Sequence, residues 1–209
     1  MQSSTKTFAG IGAVIVWLSL LLQLYVAIQN RIAGIPETIV RFFSYFTVES
    51  NILLALCFTM VYKKGITDKG NFFARANTLT AAAVYICIVA LTYNLILRFQ
   101  WAPTGLTRVP DELLHLIIPV IYLVFWFKFV PKQNIQWSTI LPWTIFPLVY
   151  LGYSLLRGPM AQWYPYPFLD VIKLGYSKVL INSAGVCAVF VAFAVLFIGI
   201  AKAMSKRSA

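Results

Sequence analysis

The chain has 209 residues, 60% of them hydrophobic and only 11% charged, with a mean hydropathy of +0.80. Soluble domains carry roughly 25% charged residues, so this composition excludes an ordinary globular domain and points to an integral membrane protein. The formal net charge of +11 does not imply nucleic acid: the basic residues stand in short groups between apolar runs, with no continuous stripe to follow a phosphate backbone, and suit helix orientation and anionic lipid headgroups instead.

A hydrocarbon core of about 30 Å needs roughly 20 helical residues per crossing, and six segments qualify. The first, 8–28, follows Lys6 and superficially resembles a signal peptide. The run exceeds the usual h-region and no small-residue cleavage pattern ends it, so it reads as a retained helix. The second, 42–62, carries the polar cluster Thr47-Val48-Glu49-Ser50-Asn51 near its start. The third, 78–97, has Asn94 at its end, followed by Arg98. The fourth, 113–130, begins beside His115, the only histidine, and ends at Trp126 and Lys128, read as an interfacial anchor and a snorkelling base. The fifth and sixth are 138–156 and 179–201. Between them, Pro165 and Pro167 exclude a regular helix through Trp163–Phe168 and favour an extended path. The expected fold is all-α: one polytopic six-transmembrane-helix bundle over residues 1–209. Connectors 63–77, 98–112 and 157–178 leave no room for a soluble domain, and no internal repeat suggests an inverted-repeat transporter.

Cys57, Cys87 and Cys187 all lie in apolar segments and read as small hydrophobes, with no disulfide framework and no metal-ligand spacing. Neither a metal nor a cofactor is implied. Ala184, Ala188 and Ala192 offer a small-residue seam on the last helix, read as internal bundle packing rather than a partner interface.

The positive-inside bias favours both termini in the cytoplasm. That side then holds ten basic residues (Lys6, Lys63, Lys64, Lys69, Arg75, Lys128, Lys132, Lys202, Lys206 and Arg207) against one acid, Asp68. The other side holds seven (Arg31, Arg41, Arg98, Arg108, Arg157, Lys173 and Lys178) with Glu37, Asp111, Glu112 and Asp170. In this orientation Thr47, Asn94, His115 and the connector Trp163–Asp170 all gather at the outer face, as an outward-opening pocket would need.

Helix spacing places Thr47, Ser50 and Asn51 on one face, with Glu49 turned toward a neighbouring helix or Arg41. Thr47 supplies a hydroxyl that is weak at its normal pKa and needs an adjacent base. His115 is a candidate general base or acid, because neutral imidazole is accessible near pH 7. From residues alone the histidine reads as structural, as a ligand or proton-pathway group, or as the base of a Thr–His pair. Asp111, four residues before His115, either caps the helix or orients the imidazole. Tyr122 and Trp126 share roughly the His115 face; Trp126 there reads as ordinary helix packing and Tyr122 as a pocket candidate. Tyr164 and Tyr166 in the aromatic connector belong either to an interfacial belt or to a lid and acyl-chain wall. Asp170 supports the turn into the last helix.

Three stretches, Ser44–Asn51, Leu113–Pro119 and Trp163–Asp170, occurring in order along a chain with six crossings, resemble the Pr6Pr family of prokaryotic six-helix membrane proteins. More distantly the chain is similar to the eukaryotic androgen-induced / FAR-17a family. That resemblance implies an intramembrane threonine hydrolase of fatty acid esters of hydroxy fatty acids, its nucleophile matching Thr47 and its histidine His115. A Tyr-Pro-Phe-Leu element matches Tyr166–Leu169; the spacing from His115 to Pro119 is one residue shorter than in the eukaryotic form. The expected function is hydrolysis of an amphiphilic lipid ester, with Asn51 or Ser50 donating to the oxyanion and membrane lipids as surroundings and substrate source. The alternatives are a non-enzymatic lipid or small-amphiphile binding protein, or a transporter, using the same pocket, and a structural partner in a larger membrane complex.

Overall fold

The computed structural model describes residues 2–67, 70–100 and 103–207; Asp68 and Lys69 of the charge count lie outside them. Backbone groups in hydrocarbon must be paired within their own segment, so long apolar runs become helices. Six are long and apolar enough to cross a membrane: Gln2–Gln29, Phe46–Lys64, Ala76–Leu97, Gly105–Phe129, Trp137–Ala161 and Val171–Lys206. They are built from α1 (Gln2–Gln29), α3 (Phe46–Lys64), α4 (Ala76–Thr92), α5 (Arg108–Glu112) continued by α6 (Ile118–Phe129), α7 (Ile140–Ala161) and α8 (Val171–Arg207). One further helix, α2 (Ile35–Phe43), is too short to span and leads into α3 through Ser44 and Tyr45.

The boundaries differ from the sequence reading where charges are paired. The fourth crossing starts at Gly105 rather than 113 because its charged first turns are matched: Glu112 takes both Nη groups of Arg98 at 2.9 and 2.6 Å. The fifth continues to Ala161 because Arg157 reaches Glu37 on α2, Nη2 to Oε1, at 2.7 Å. The connector to α8 therefore shrinks to residues 162–170. Its Tyr166 is extended, as the prolines suggest, but Pro167–Leu169 closes a single 3-10 turn. Asp170 then caps α8, its Oδ1 accepting the Lys173 N–H at 3.1 Å. α8 breaks at Gly175, whose φ of 74° lies in the left-handed region.

The middle of the bundle is apolar, and the ring N–H and O–H groups of its largest side chains are satisfied. Leu54, Phe58, Tyr122, Phe125 and Trp126 are fully buried; Tyr122 Oη donates to the Leu79 carbonyl at 3.1 Å and Trp126 Nε1 to Thr80 Oγ1 at 3.0 Å. Trp126 is thus a core residue, as helix packing has it, rather than an interfacial anchor. Lys132 closes that end of the fourth crossing: its ammonium lies 4.3 Å from the Trp126 ring centroid and donates to the carbonyls of Trp126 and Val130. Burial pushes the Lys132 pKa down to about 8. The alanine seam is also corrected, since Ala184, Ala188 and Ala192 are exposed on the outer surface of α8.

Two single π-helical turns interrupt the crossings, Tyr93–Leu97 after α4 and Leu113–Ile117 between α5 and α6. The second has a local cause. Pro119 has no N–H for the His115 carbonyl four residues back, and the Ile118 N–H bonds to Leu113 instead. The freed carbonyls find side-chain amides on neighbouring helices. Asn94 Nδ2 donates to His115 O at 3.1 Å, and Asn51 Nδ2 approaches Leu114 O at 3.5 Å. Asn51 and Asn94 thereby tie the second and third crossings to the fourth.

Candidate functional site

A cavity of about 70 Å³ opens among α3, α4, α7, α8 and the 166–169 turn, enough for several waters by volume but lined almost wholly by apolar atoms. Phe46, Ile88, Leu151 and Phe190 give it hydrocarbon walls; Thr47, Thr92, Tyr93, Tyr150, Tyr166 and Ser183 contribute the hydroxyl-bearing side chains.

Thr47 sits at the start of α3, buried, beside the Tyr166 hydroxyl. That oxygen accepts the Thr47 backbone N–H at 3.2 Å and lies 3.4 Å from Oγ1. The first-turn N–H groups of a helix lack intrahelical acceptors, so Tyr166 serves as a cap contributed from 119 residues away. Tyr45, one residue upstream, packs edge-on against both Tyr166 and Trp163. The connector is thus a wall of the cavity.

His115 is set from the other side. Its Nδ1 lies 2.9 Å from the Asp111 carbonyl oxygen and 3.4 Å from Asp111 Oδ1. A carbonyl only accepts, so Nδ1 carries the proton and neutral His115 has its lone pair on Nε2. The spacing of four residues that suggested an orienting role for Asp111 does bring the two together. The same carboxylate accepts the Tyr93 hydroxyl through Oδ2, and the Tyr93 ring stacks on the imidazole at 3.8 Å and 15°. Tyr93 lines the cavity and His115 does not. No hydrogen bond joins Thr47 to His115; the Tyr93 ring stands between the imidazole and the cavity. Tyr93 escaped sequence reasoning because a tyrosine at an apolar helix end carries no distinguishing signal.

The remaining candidates divide. Ser50 and Asn51 are fully buried but do not line the cavity. The Asn51 amide is committed to the carbonyls of Thr47, at 2.8 Å, and Leu114, while its Oδ1 and the Ser50 hydroxyl have no hydrogen-bond partner. Asn94 bonds to the carbonyls of Ala90 and His115 and accepts from Arg98 Nε. Tyr122 belongs to the core, away from the cavity. Tyr164 is buried against Gly158, where an added Cβ would fall 2.0 Å from its ring. Glu49 is half-buried with no ion pair among the described residues. Arg41 does not pair with it, because Glu37 lies one helical turn away and accepts Arg41 Nε at 2.8 Å. Among the described residues, no three His, Cys, Asp or Glu side chains group to hold a metal.

The fold and this polar end define a multi-pass membrane protein of six crossing helices around an apolar, hydroxyl-edged cavity. No family model, curated protein or solved structure matches the chain.

Proposed function

We propose that the protein is an intramembrane hydrolase of amphiphilic lipid esters, such as fatty acid esters of hydroxy fatty acids, in the cell membrane with both termini cytoplasmic. The observation that carries this reading is the placement of Thr47 and Tyr93 on one apolar cavity, with the His115 imidazole stacked on Tyr93 and its Nδ1 held by the Asp111 carbonyl. The acyl chain occupies the hydrocarbon walls, and the ester carbonyl meets the hydroxyl-bearing end.

His115 Nε2 takes the proton of Thr47 Oγ1 as that oxygen attacks the carbonyl carbon. The tetrahedral adduct collapses with cleavage of the ester C–O bond, and the imidazolium returns the proton to the leaving alkoxide. Water then gives its proton to His115 and attacks the acyl-threonine, releasing the acid and restoring the Thr47 hydroxyl. Tyr166 Oη, beside Thr47, is better placed than Ser50 or Asn51 to donate to the oxyanion. For Nε2 to reach Oγ1 the Tyr93 ring must turn aside, in keeping with catalytic contacts that tighten only when substrate binds.

One observation favours a second reading, a non-enzymatic amphiphile-binding protein: the Thr47 hydroxyl faces Tyr166 and not a base. The test is hydrolysis of a panel of long-chain and branched esters by detergent-purified protein, beside Thr47→Ala and His115→Ala. The hydrolase reading expects turnover to fall at least 10²-fold in both with ester binding retained. Binding without turnover in the native chain would overturn it in favour of the second reading.

A further inference from the structure

The site end holds two arginine clusters, and they are not equivalent. Arg98 is matched: its two Nη groups take both oxygens of Glu112, and its Nε takes Asn94. Arg41 and Arg157 instead share one carboxylate oxygen. Arg41 Nε and Arg157 Nη2 donate to Glu37 Oε1 at 2.8 and 2.7 Å, which leaves two guanidinium charges against one carboxylate. Among the described residues neither arginine has another ion-pair partner, and both Nη groups of Arg41 and Nη1 of Arg157 have no hydrogen-bond partner.

These cations are held, not loose. Their side chains are only 22% and 15% exposed, and their guanidinium carbons lie 5.0 and 5.6 Å from the ring of the same tryptophan, Trp163. A surplus positive charge withdrawn from water, with its planar donor forks fixed and part-filled, suits an oxyanion with two or more acceptor oxygens. The place is equally informative. Trp163 touches Tyr45 at 5.6 Å, Tyr45 touches Tyr166 at 5.9 Å, and the Tyr166 hydroxyl adjoins Thr47 at the cavity.

We infer that Arg41, Arg157 and Trp163 bind the anionic group, a carboxylate or phosphate, of the amphiphile whose chain occupies the Thr47 cavity. The inference rests on the reading of the cavity as a lipid site and not on hydrolysis there. Glu37 presets the two forks, and the ligand anion neutralises the remaining charge. An anion two rings from the Thr47 hydroxyl makes the favoured molecule one with its charge at one end and its chain further in.

The test is a binding measurement in phosphatidylcholine nanodiscs, reading the immobilised fraction of a chain-spin-labelled fatty acid above its pKa and of the same label as its methyl ester. The native protein is expected to prefer the ionised acid about tenfold, the scale of a single charge-assisted contact. Arg41→Gln and Arg157→Gln should each bring that ratio toward one without changing ester binding. Inorganic phosphate should fail to displace the acid, while unlabelled fatty acid displaces it. Equal binding of acid and ester by the native chain, which needs no variant to fold, overturns the assignment, as does a preference that survives both substitutions. Displacement by inorganic phosphate would overturn the amphiphile in favour of a free anion, and binding of neither probe would overturn the lipid site itself. Since no arm reads turnover, failure of the hydrolase reading leaves the result distinct.

Discussion

Glu37 makes the most testable single-residue contribution to folding. Its carboxyl is held below the ordinary value of 4.5, first by the Arg41 hydrogen bond and then by Arg157. A folded-state pKa below the unfolded one stabilises the protein above 4.5, and that stability is lost as pH falls through the folded value. The thermal unfolding temperature in detergent should therefore drop on acidification below about pH 4.5, and Glu37→Gln should be less stable at neutral pH with a flatter acid limb. An unchanged acid limb in the variant would remove Glu37 from the account. At this scale the sequence was readable over one helical turn and not beyond. Asp111 to His115 and Glu37 to Arg41 are both four apart, but spacing singles out only the first, because Glu49 in the neighbouring apolar run competes for Arg41. Arg157 with Glu37, Tyr166 with Thr47 and Tyr93 with His115 join different elements, and no local rule reports such contacts.

Among the elements, the π turn at Leu113–Ile117 does most to set the site. Pro119→Ala would return an N–H to the His115 carbonyl and favour a regular helix. A one-residue change of register turns the preceding residues by about 100°, taking His115 off Tyr93 and stripping Asn94 and Asn51 of their carbonyls. The expected outcome is intact helix content with a shifted imidazole ¹⁵N spectrum, unambiguous because the chain has a single histidine. A native-like spectrum would show that Pro119 does not set the turn. All six crossings were legible because apolar length is a strong signal in a sequence with so few charges. Neither π turn was, although a proline four residues after a histidine holds the necessary information. α2 was missed for another reason: the break at Ser44 and Tyr45 has no glycine or proline to mark it.

For the molecule as a whole, the ion pairs among the described residues are concentrated at one end. The ion pairs of Glu37, Glu112 and Asp170, the Asp111–His115 contact and the arginine–tryptophan cluster all lie there. The proposed topology puts this end outside. In a cysteine-free background, Arg31→Cys on exposed backbone at the site end should react with a membrane-impermeant maleimide in intact cells, whereas Lys206→Cys should react only after permeabilisation. The reverse pattern would invert the orientation and move the amphiphile's entry to the inner leaflet. The charge asymmetry was visible in composition, but its closing into clusters required the fold.

The length of α8 gives the surrounding bilayer a hold on the site. From Gly175 to Lys202 the helix runs about 40 Å at 1.5 Å per residue, its apolar run 179–201 about 34 Å, against a hydrocarbon core of about 30 Å, and a modest lean is expected. Its first turn is joined to the 162–170 connector, which holds Tyr166 against Thr47 and Trp163 against the arginines. Lipid thickness thereby becomes an input: thinner membranes tilt α8 further and pull on the rim, thicker ones relax it. Fatty-acid binding measured across nanodiscs of 14-, 16- and 18-carbon lipids, about the range of natural thickness, should change steadily with chain length, and a flat response would mean that Gly175 uncouples the helix from the rim.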